Sequence, residues 1–318
     1  MTSRKTPDSN SATWLIISIL AITWGSSFIL MKRALVVFSS DEVGALRIVI
    51  SFLFLLPFAI RRLPKITAKD AGNLALAGFL GNGVPAFLFA KAQTVIDSSV
   101  AGILNSLTPL FTVIVGLLAF KIQPRWFNVL GVLMGLAGAV GLVMVSSNGN
   151  YSFQFSYALL IVVATLFYAA NTNIIKVWLK NIEPVGIVSL SFFIIGPPVL
   201  IYLLAFTDFT TQLANDPKVW SGLAYLAILS ICGTALALML FNKLLKMTTP
   251  LFASSITYLI PIVALLWGLL DGEKLGWSYA LWVIMILSGI ILVSSKHADT
   301  MPLVGFFIRK IKNNRRVL

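Results

Sequence analysis

Polar residues in this chain are confined to short intervals, and between them run long blocks that are nearly free of charge. The blocks approach the roughly 20 residues that a helix needs to cross a bilayer, and they do not alternate residue by residue as short barrel strands would. Hydrocarbon offers no partner to a bare N–H or C=O, so such blocks are expected to satisfy their own backbone as helices. The pattern predicts ten of them. The first five are Trp14–Met31, Val43–Ile60, Ala71–Ala90, Ser98–Phe120 and Trp126–Ser147; the second five are Tyr157–Leu179, Val185–Phe206, Val219–Leu240, Leu251–Leu270 and Trp277–Ser295. Gly72, Gly78, Gly81, Gly83 and Pro85 interrupt the third.

Composition sharpens this picture. Of 318 residues, 58% are hydrophobic and 11% charged, against about 25% charged in a soluble domain. The chain lacks the polar surface to stay in water and is expected to be a polytopic all-α membrane protein. Cys232 is the single cysteine and His297 the single histidine. An intrachain disulfide is therefore excluded, and neither a zinc motif nor a catalytic histidine pair can be built. The apolar blocks hold no cluster of acids or histidines for acid–base or metal chemistry. No G-x-x-x-x-G-K-[ST] loop is present to drive pumping with ATP. No cofactor is expected.

Charge sets the expected orientation. With the N-terminus inside, the inner segments and the tail hold 18 lysines and arginines and the outer segments 5, so both ends are expected in the cytoplasm. The net charge of +13 is mostly this bias plus the basic tail over Arg309–Arg316. That tail is expected to rest on anionic lipid rather than to bind nucleic acid. Phe306 and Phe307 could lay a short amphipathic turn on the membrane beside it. Arg4 and Lys5 ahead of the first span could also be read as a cleavable leader, but the repeat described next needs that helix retained.

The chain repeats itself. At a shift of 144 residues, Trp24-Gly25-Ser26-Ser27 meets Tyr168-Ala169-Ala170-Asn171, and Lys32 meets Lys176. At a shift of 152, Lys91 meets Lys243, Ala101 meets Ala253, Pro109 meets Pro261 and Gly116-Leu117-Leu118 meets Gly268-Leu269-Leu270. Five spans per half is odd, so the second copy must enter the membrane from the opposite side, as in secondary transporters. Four segments follow: residues 1–13 as an N-terminal stretch, repeats over 14–147 and 148–295, and a tail over 296–318.

Several motifs carry a resemblance to a known family. They are Trp24-Gly25-Ser26-Ser27-Phe28 with Lys32, Arg47 opening the second span, Ala101 through Pro109-Leu110-Phe111, and Pro261 followed by Gly272-Glu273-Lys274. Over about residues 14–295 the chain resembles the drug/metabolite transporter superfamily, in its form with two EamA domains. The resemblance implies ten helices around a central cavity and the movement of small metabolites such as amino acids. One position departs from the family pattern: Lys121 stands where an acid often follows the fourth span, as Glu273 follows the ninth.

Candidate site residues gather around two helix breaks. Pro109 and Pro261 remove the helical partners of the Asn105 and Thr257 carbonyls. Paired breaks in matching helices point to a site at mid-membrane, or else to packing kinks healed by Ser106 or Thr108. Trp24 and Ser27 share one helix face, and Tyr168 with Asn171 is the matching pair. With Asn82, Asn105, Thr108 and Tyr258 they form a set suited to binding a small, partly apolar solute such as an amino acid; the alternative is interhelical glue. Lys91 and Lys243 are candidate gates or plain interfacial anchors. Arg47 either holds a substrate carboxylate or, the favoured reading, snorkels to Asp41 or Glu42 on its own side. Gly131 and Gly135 permit a close helix contact, with the tenth helix or with a second subunit, so monomer and homodimer both stay open. The expected function is a secondary transporter that exports small metabolites, amino acids or related compounds, by alternating access. The alternatives are a channel, a non-transporting membrane partner or a membrane-embedded enzyme.

Overall fold

The computed structural model describes residues 11–120, 126–146, 151–248, 253, 255–273 and 276–294. The first ten residues, Lys121, His297 and the basic tail lie outside the described residues, as does the side chain of Tyr258. Among the described residues the secondary structure is helical. In the first half α1 is Ser11–Ala34, α2 Ser40–Ile60, α3 Ala68–Gly78, α4 Val84–Ala92, α5 Ser98–Asn105, α6 Thr108–Phe120 and α7 Trp126–Ser146. In the second, α8 is Tyr151–Val177, α9 Pro184–Phe206, α10 Phe209–Asn215, α11 Val219–Ser230, α12 Ala237–Met247, α13 Ile260–Leu270 and α14 Trp277–Ser294.

Seven helices are long and apolar enough to cross a membrane, the α3–α4, α5–α6 and α11–α12 pairs each counting as one. The other expected spans are represented by the shorter apolar helices Leu133–Val145, Ile260–Leu270 and Trp277–Gly289. Helix ends follow local chemistry. Ser39 and Glu42 close a capping box at the start of α2, and Thr67 with Asp70 does the same for α3, each satisfying orphan N–H groups. Two differences from the sequence pattern stand out. The glycines of the third span do not break it but widen it into a π turn, Phe79–Gly83. The eighth span runs past Leu240 to Met247 and carries its own π turn, Ile231–Leu236. A short helix, α10, also forms in what read as a polar connection, and Gln212 on it reaches the Glu42 carboxylate at 3.3 Å.

Packing obeys the internal repeat. The equivalent helices α2 and α9 pack on each other, as do α7 with α14, and α5 packs on α13 where the equivalent fourth and ninth spans meet. Other contacts between the halves come in matched pairs: α1 on α13 and α8 on α6, α1 on α12 and α8 on α4, α2 on α11 and α9 on α3. Equivalent helices run antiparallel. Gly138 faces Ile286 while Gly141 faces Trp282, so residue numbers rise along α7 as they fall along α14. In the same way Gly102 faces Ala264 and Gly268 faces Ser99, and Arg62 near the end of α2 pairs with Glu183 at the start of α9. The two halves are thus inverted copies. A Cβ built on Gly289 would fall 2.6 Å from the Gly131 carbonyl and 2.7 Å from the Gly135 amide. The small-residue face of α7 is therefore occupied by α14 of the same chain.

Candidate functional site

At the centre of the bundle lies a cavity of about 110 Å³, lined from both halves. Repeat-related defects shape it. The π turns Phe79–Gly83 and Ile231–Leu236 fall at equivalent places; such turns redirect backbone groups and recur at functional sites. Between α5 and α6 the chain turns through Ser106 and Leu107, and the matching point in the second half is the 3₁₀ turn Ser255–Tyr258 before α13. Pro109 and Pro261 sit in the first turns of α6 and α13, where a missing N–H costs little. The Asn105 carbonyl finds a partner, because the Thr108 hydroxyl donates to it at 2.8 Å. The break is healed locally and opens toward the cavity at once.

The aromatic walls are paired by the same symmetry. Trp24 meets Phe241 with ring centroids 5.3 Å apart, and Tyr168 stacks on Phe89 at 5.8 Å. The Trp24 indole N–H donates to the Gly233 carbonyl at 3.0 Å, in the second π turn. A Cβ on Gly233 would fall 2.8 Å from the Ser27 hydroxyl, and one on Gly81 would fall 2.2 Å from the Asn171 amide nitrogen. Glycine is what lets these two turns approach the polar side chains that line the cavity.

Trp24, Ser27, Asn82, Asn105, Thr108, Tyr168 and Asn171 all line this space. Asn105 and Asn171 are each 8% exposed, and their amide oxygens are buried without a hydrogen-bond partner. Such groups cost free energy unless a ligand or water meets them. Lys91 and Lys243 are not brought to the cavity. Both are exposed, and among the described residues neither makes an ion pair.

Arg47 corrects the favoured expectation of outward snorkelling. It lines the cavity together with Tyr168, and its Nε donates to the Thr234 hydroxyl at 3.0 Å. The acid it was expected to reach is engaged elsewhere: Glu42 accepts from the Ser39 amide and hydroxyl, both at 2.9 Å, and from Gln212. A charge at mid-membrane costs at least about 2.5–3.5 kcal/mol on insertion scales, so its inward orientation needs compensation. The π turn supplies part of it by presenting Thr234, whose own proton goes to the Leu229 carbonyl at 3.1 Å.

A polar cluster closes the bundle on the face where α1 ends. Lys32 bridges Asp271 at 2.7 Å and Glu273 at 2.8 Å, and Arg33 adds a second contact to Asp271. Glu273 also accepts from the Ser98 amide at 3.0 Å, the Ser98 hydroxyl at 2.6 Å and the Ser99 amide at 3.2 Å. It therefore caps α5, whose own N-cap residue Asp97 makes no side-chain bond. Burial would push the Glu273 carboxyl up, but hydrogen bonds from Lys32, Ser98 and Ser99 outweigh it and hold the group below its ordinary value. On the opposite face Lys176, the repeat-equivalent of Lys32, meets only carbonyls, those of Leu245 at 2.8 Å and Thr248 at 2.5 Å. Each half thus contributes a lysine, but only one of the two finds carboxylates among the described residues.

The EamA-like transporter family matches residues 12–144 and again 155–295. An uncharacterized inner membrane transporter of Escherichia coli strain K12, YedA, is 28% identical over 282 residues, 86% of this chain and 88% of its own. An uncharacterized transporter of Archaeoglobus fulgidus is 24% identical over 285 residues, 89% of this chain and 99% of its own. A protein known from a crystal structure shares the fold with a TM-score of 0.60 at 17% identity, over 89% of this chain and 96% of its own.

Proposed function

The chain belongs to the EamA-like transporter family, and from that premise we propose that it is a secondary carrier exporting small metabolites of the amino-acid kind by alternating access between its two halves. That it is a multi-pass membrane transporter of small molecules follows from the family and its relatives; solute, direction and mechanism are the proposal. One observation carries it: four repeat-related defects, two π turns and two helix breaks, ring a single cavity of about 110 Å³. Two inverted copies of one packing plan have similar energies, so modest differential binding can shift the bundle between forms open to either face. The cavity holds aromatic walls and a few amides and hydroxyls, which suits a small, partly apolar solute better than a lipid or a large drug.

In the same proposal both termini face the cytoplasm, by the 18-to-5 bias of lysine and arginine, and the basic tail rests on anionic lipid. The Lys32 face is then the outer one, closed by the Glu273 cluster. The test is reconstitution of the full chain into liposomes loaded with the twenty common amino acids, with efflux followed by mass spectrometry. Gradient-dependent efflux of a subset, faster than from protein-free vesicles, is the expected result. Efflux indistinguishable from protein-free vesicles for every one of them would overturn the proposal.

A further inference from the structure

Arg47 is a guanidinium without a carboxylate. Among the described residues it makes no ion pair; its nearest acid by sequence on the same helix face of the membrane, Glu42, is committed to Ser39 and Gln212. Its Nε is fixed by Thr234, which leaves the two terminal nitrogens to the cavity that Arg47 lines. A second observation is independent of it. The buried amide oxygens of Asn105 and Asn171, on elements from opposite halves, line the same space and accept from nothing. One side of the cavity therefore lacks an anion, and another lacks a hydrogen-bond donor.

We propose that Arg47 anchors the carboxylate of the transported solute, while the Asn105 and Asn171 amide oxygens take an N–H or O–H donor on the same molecule. The solute class is thus a small carboxylate that also carries a donor group, with its apolar part against Trp24, Phe89 and Phe241. Guanidinium and carboxylate match in shape and charge, and the pair is strengthened where water is scarce. A phosphate is disfavoured because Arg47 is the one charged residue among the described lining, and a dianion would need more. Thr234 is a positioning residue here: it aims the fork without touching the solute. Solute binding then supplies the counter-charge that the bundle itself withholds from Arg47.

This inference rests on the carrier proposal, so its test separates the two. Full-length wild-type chain in liposomes is offered amino acids and their carboxamides in parallel, with inorganic phosphate as competitor. Wild type is expected to move the acids at least about tenfold faster than the amides, without competition from phosphate. Arg47→Gln should bring that ratio close to one, Arg47→Lys should keep it above one, and Thr234→Val should reduce it while Thr234→Ser restores it. Equal rates for acid and amide in wild type, an unchanged ratio in Arg47→Gln, or strong competition by phosphate would each overturn the inference. Should Arg47→Gln fail to fold, quenching of tryptophan fluorescence in the wild type by acid against amide decides it alone. Flux without this selectivity refutes the role of Arg47 and leaves the carrier standing; selective binding without flux does the reverse.

Discussion

Replacing Glu273 by Gln tests the closed face of the bundle quantitatively. The Glu273 side chain is 2% exposed and lies 2.8 Å from Lys32. At an effective dielectric of about 20, that separation corresponds to roughly 6 kcal/mol of attraction before desolvation. Removing one partner of a buried pair typically costs about 3–5 kcal/mol. The effect here should be smaller, because Lys32 keeps Asp271 at 2.7 Å and is itself 32% exposed. We expect a net loss of about 2–3 kcal/mol at neutral pH. The Ser98 and Ser99 amides hang on this carboxylate, so their hydrogen exchange reports the release directly. A factor of ten per about 1.36 kcal/mol converts the loss to roughly 30- to 160-fold faster exchange in the variant. Acidification should erase the difference. Glu273 is held below its ordinary 4.5, so its contribution is complete above that value and is lost as pH falls through the lowered one. Burial and the Glu273 charge push the neighbouring Asp97 carboxyl up, so it titrates as well, and the comparison is always wild type against variant. Equal exchange at Ser98 and Ser99 in the two chains at pH 7 would refute the reasoning.

Three further outcomes follow from close contacts and helix propensity. Gly81→Ala should abolish transport with protein abundance maintained, since its Cβ would fall 2.2 Å from the Asn171 amide; Gly233→Ala, at 2.8 Å from the rotatable Ser27 hydroxyl, should retain part of it, as flux in liposomes will read. Gly289→Leu should lower the thermal unfolding midpoint through at least about 1–3 kcal/mol of overpacking at the α7–α14 seam, because backbone rather than a flexible side chain blocks the new atoms. Gly72→Ala should do the opposite: nothing lies within 4 Å of its Cβ position, and an exposed helical glycine replaced by alanine gains about 0.5–1 kcal/mol. A lowered midpoint for Gly72→Ala would contradict the description of α3.

The inverted repeat was legible in the sequence because its markers are chemically distinctive against an apolar background. Proline, lysine and glycine at constant shifts survive where leucine and valine interchange freely. The lining residues were legible for a related reason: an amide or a tryptophan at mid-span has few places to go but inward. Arg47 departs from the outward orientation that Asp41 and Glu42 suggest in the sequence, because the capping box at Ser39 and the distant Gln212 claim Glu42. Its true partner, Thr234, lies 187 residues away and faces it only because of a π turn. That turn has no signature beyond Gly233, and its twin lies in the third span, which glycines interrupt in the sequence. Lys91 and Lys243, candidate gates or plain anchors by their symmetry, do not line the cavity. The acids instead meet Lys32, through a contact spanning 241 residues, and no local pattern announces it.

Access to the cavity from both sides is the most direct test of a carrier built from inverted halves. A chain with Cys232 replaced by Ala and one new cysteine at Ser27, which lines the cavity, is exposed in sealed vesicles to a membrane-impermeant thiol reagent from either side in turn. Alternating access requires labelling from both sides, suppressed from both by a transported solute. Labelling from one side only, unchanged by any solute that the chain carries, would contradict it.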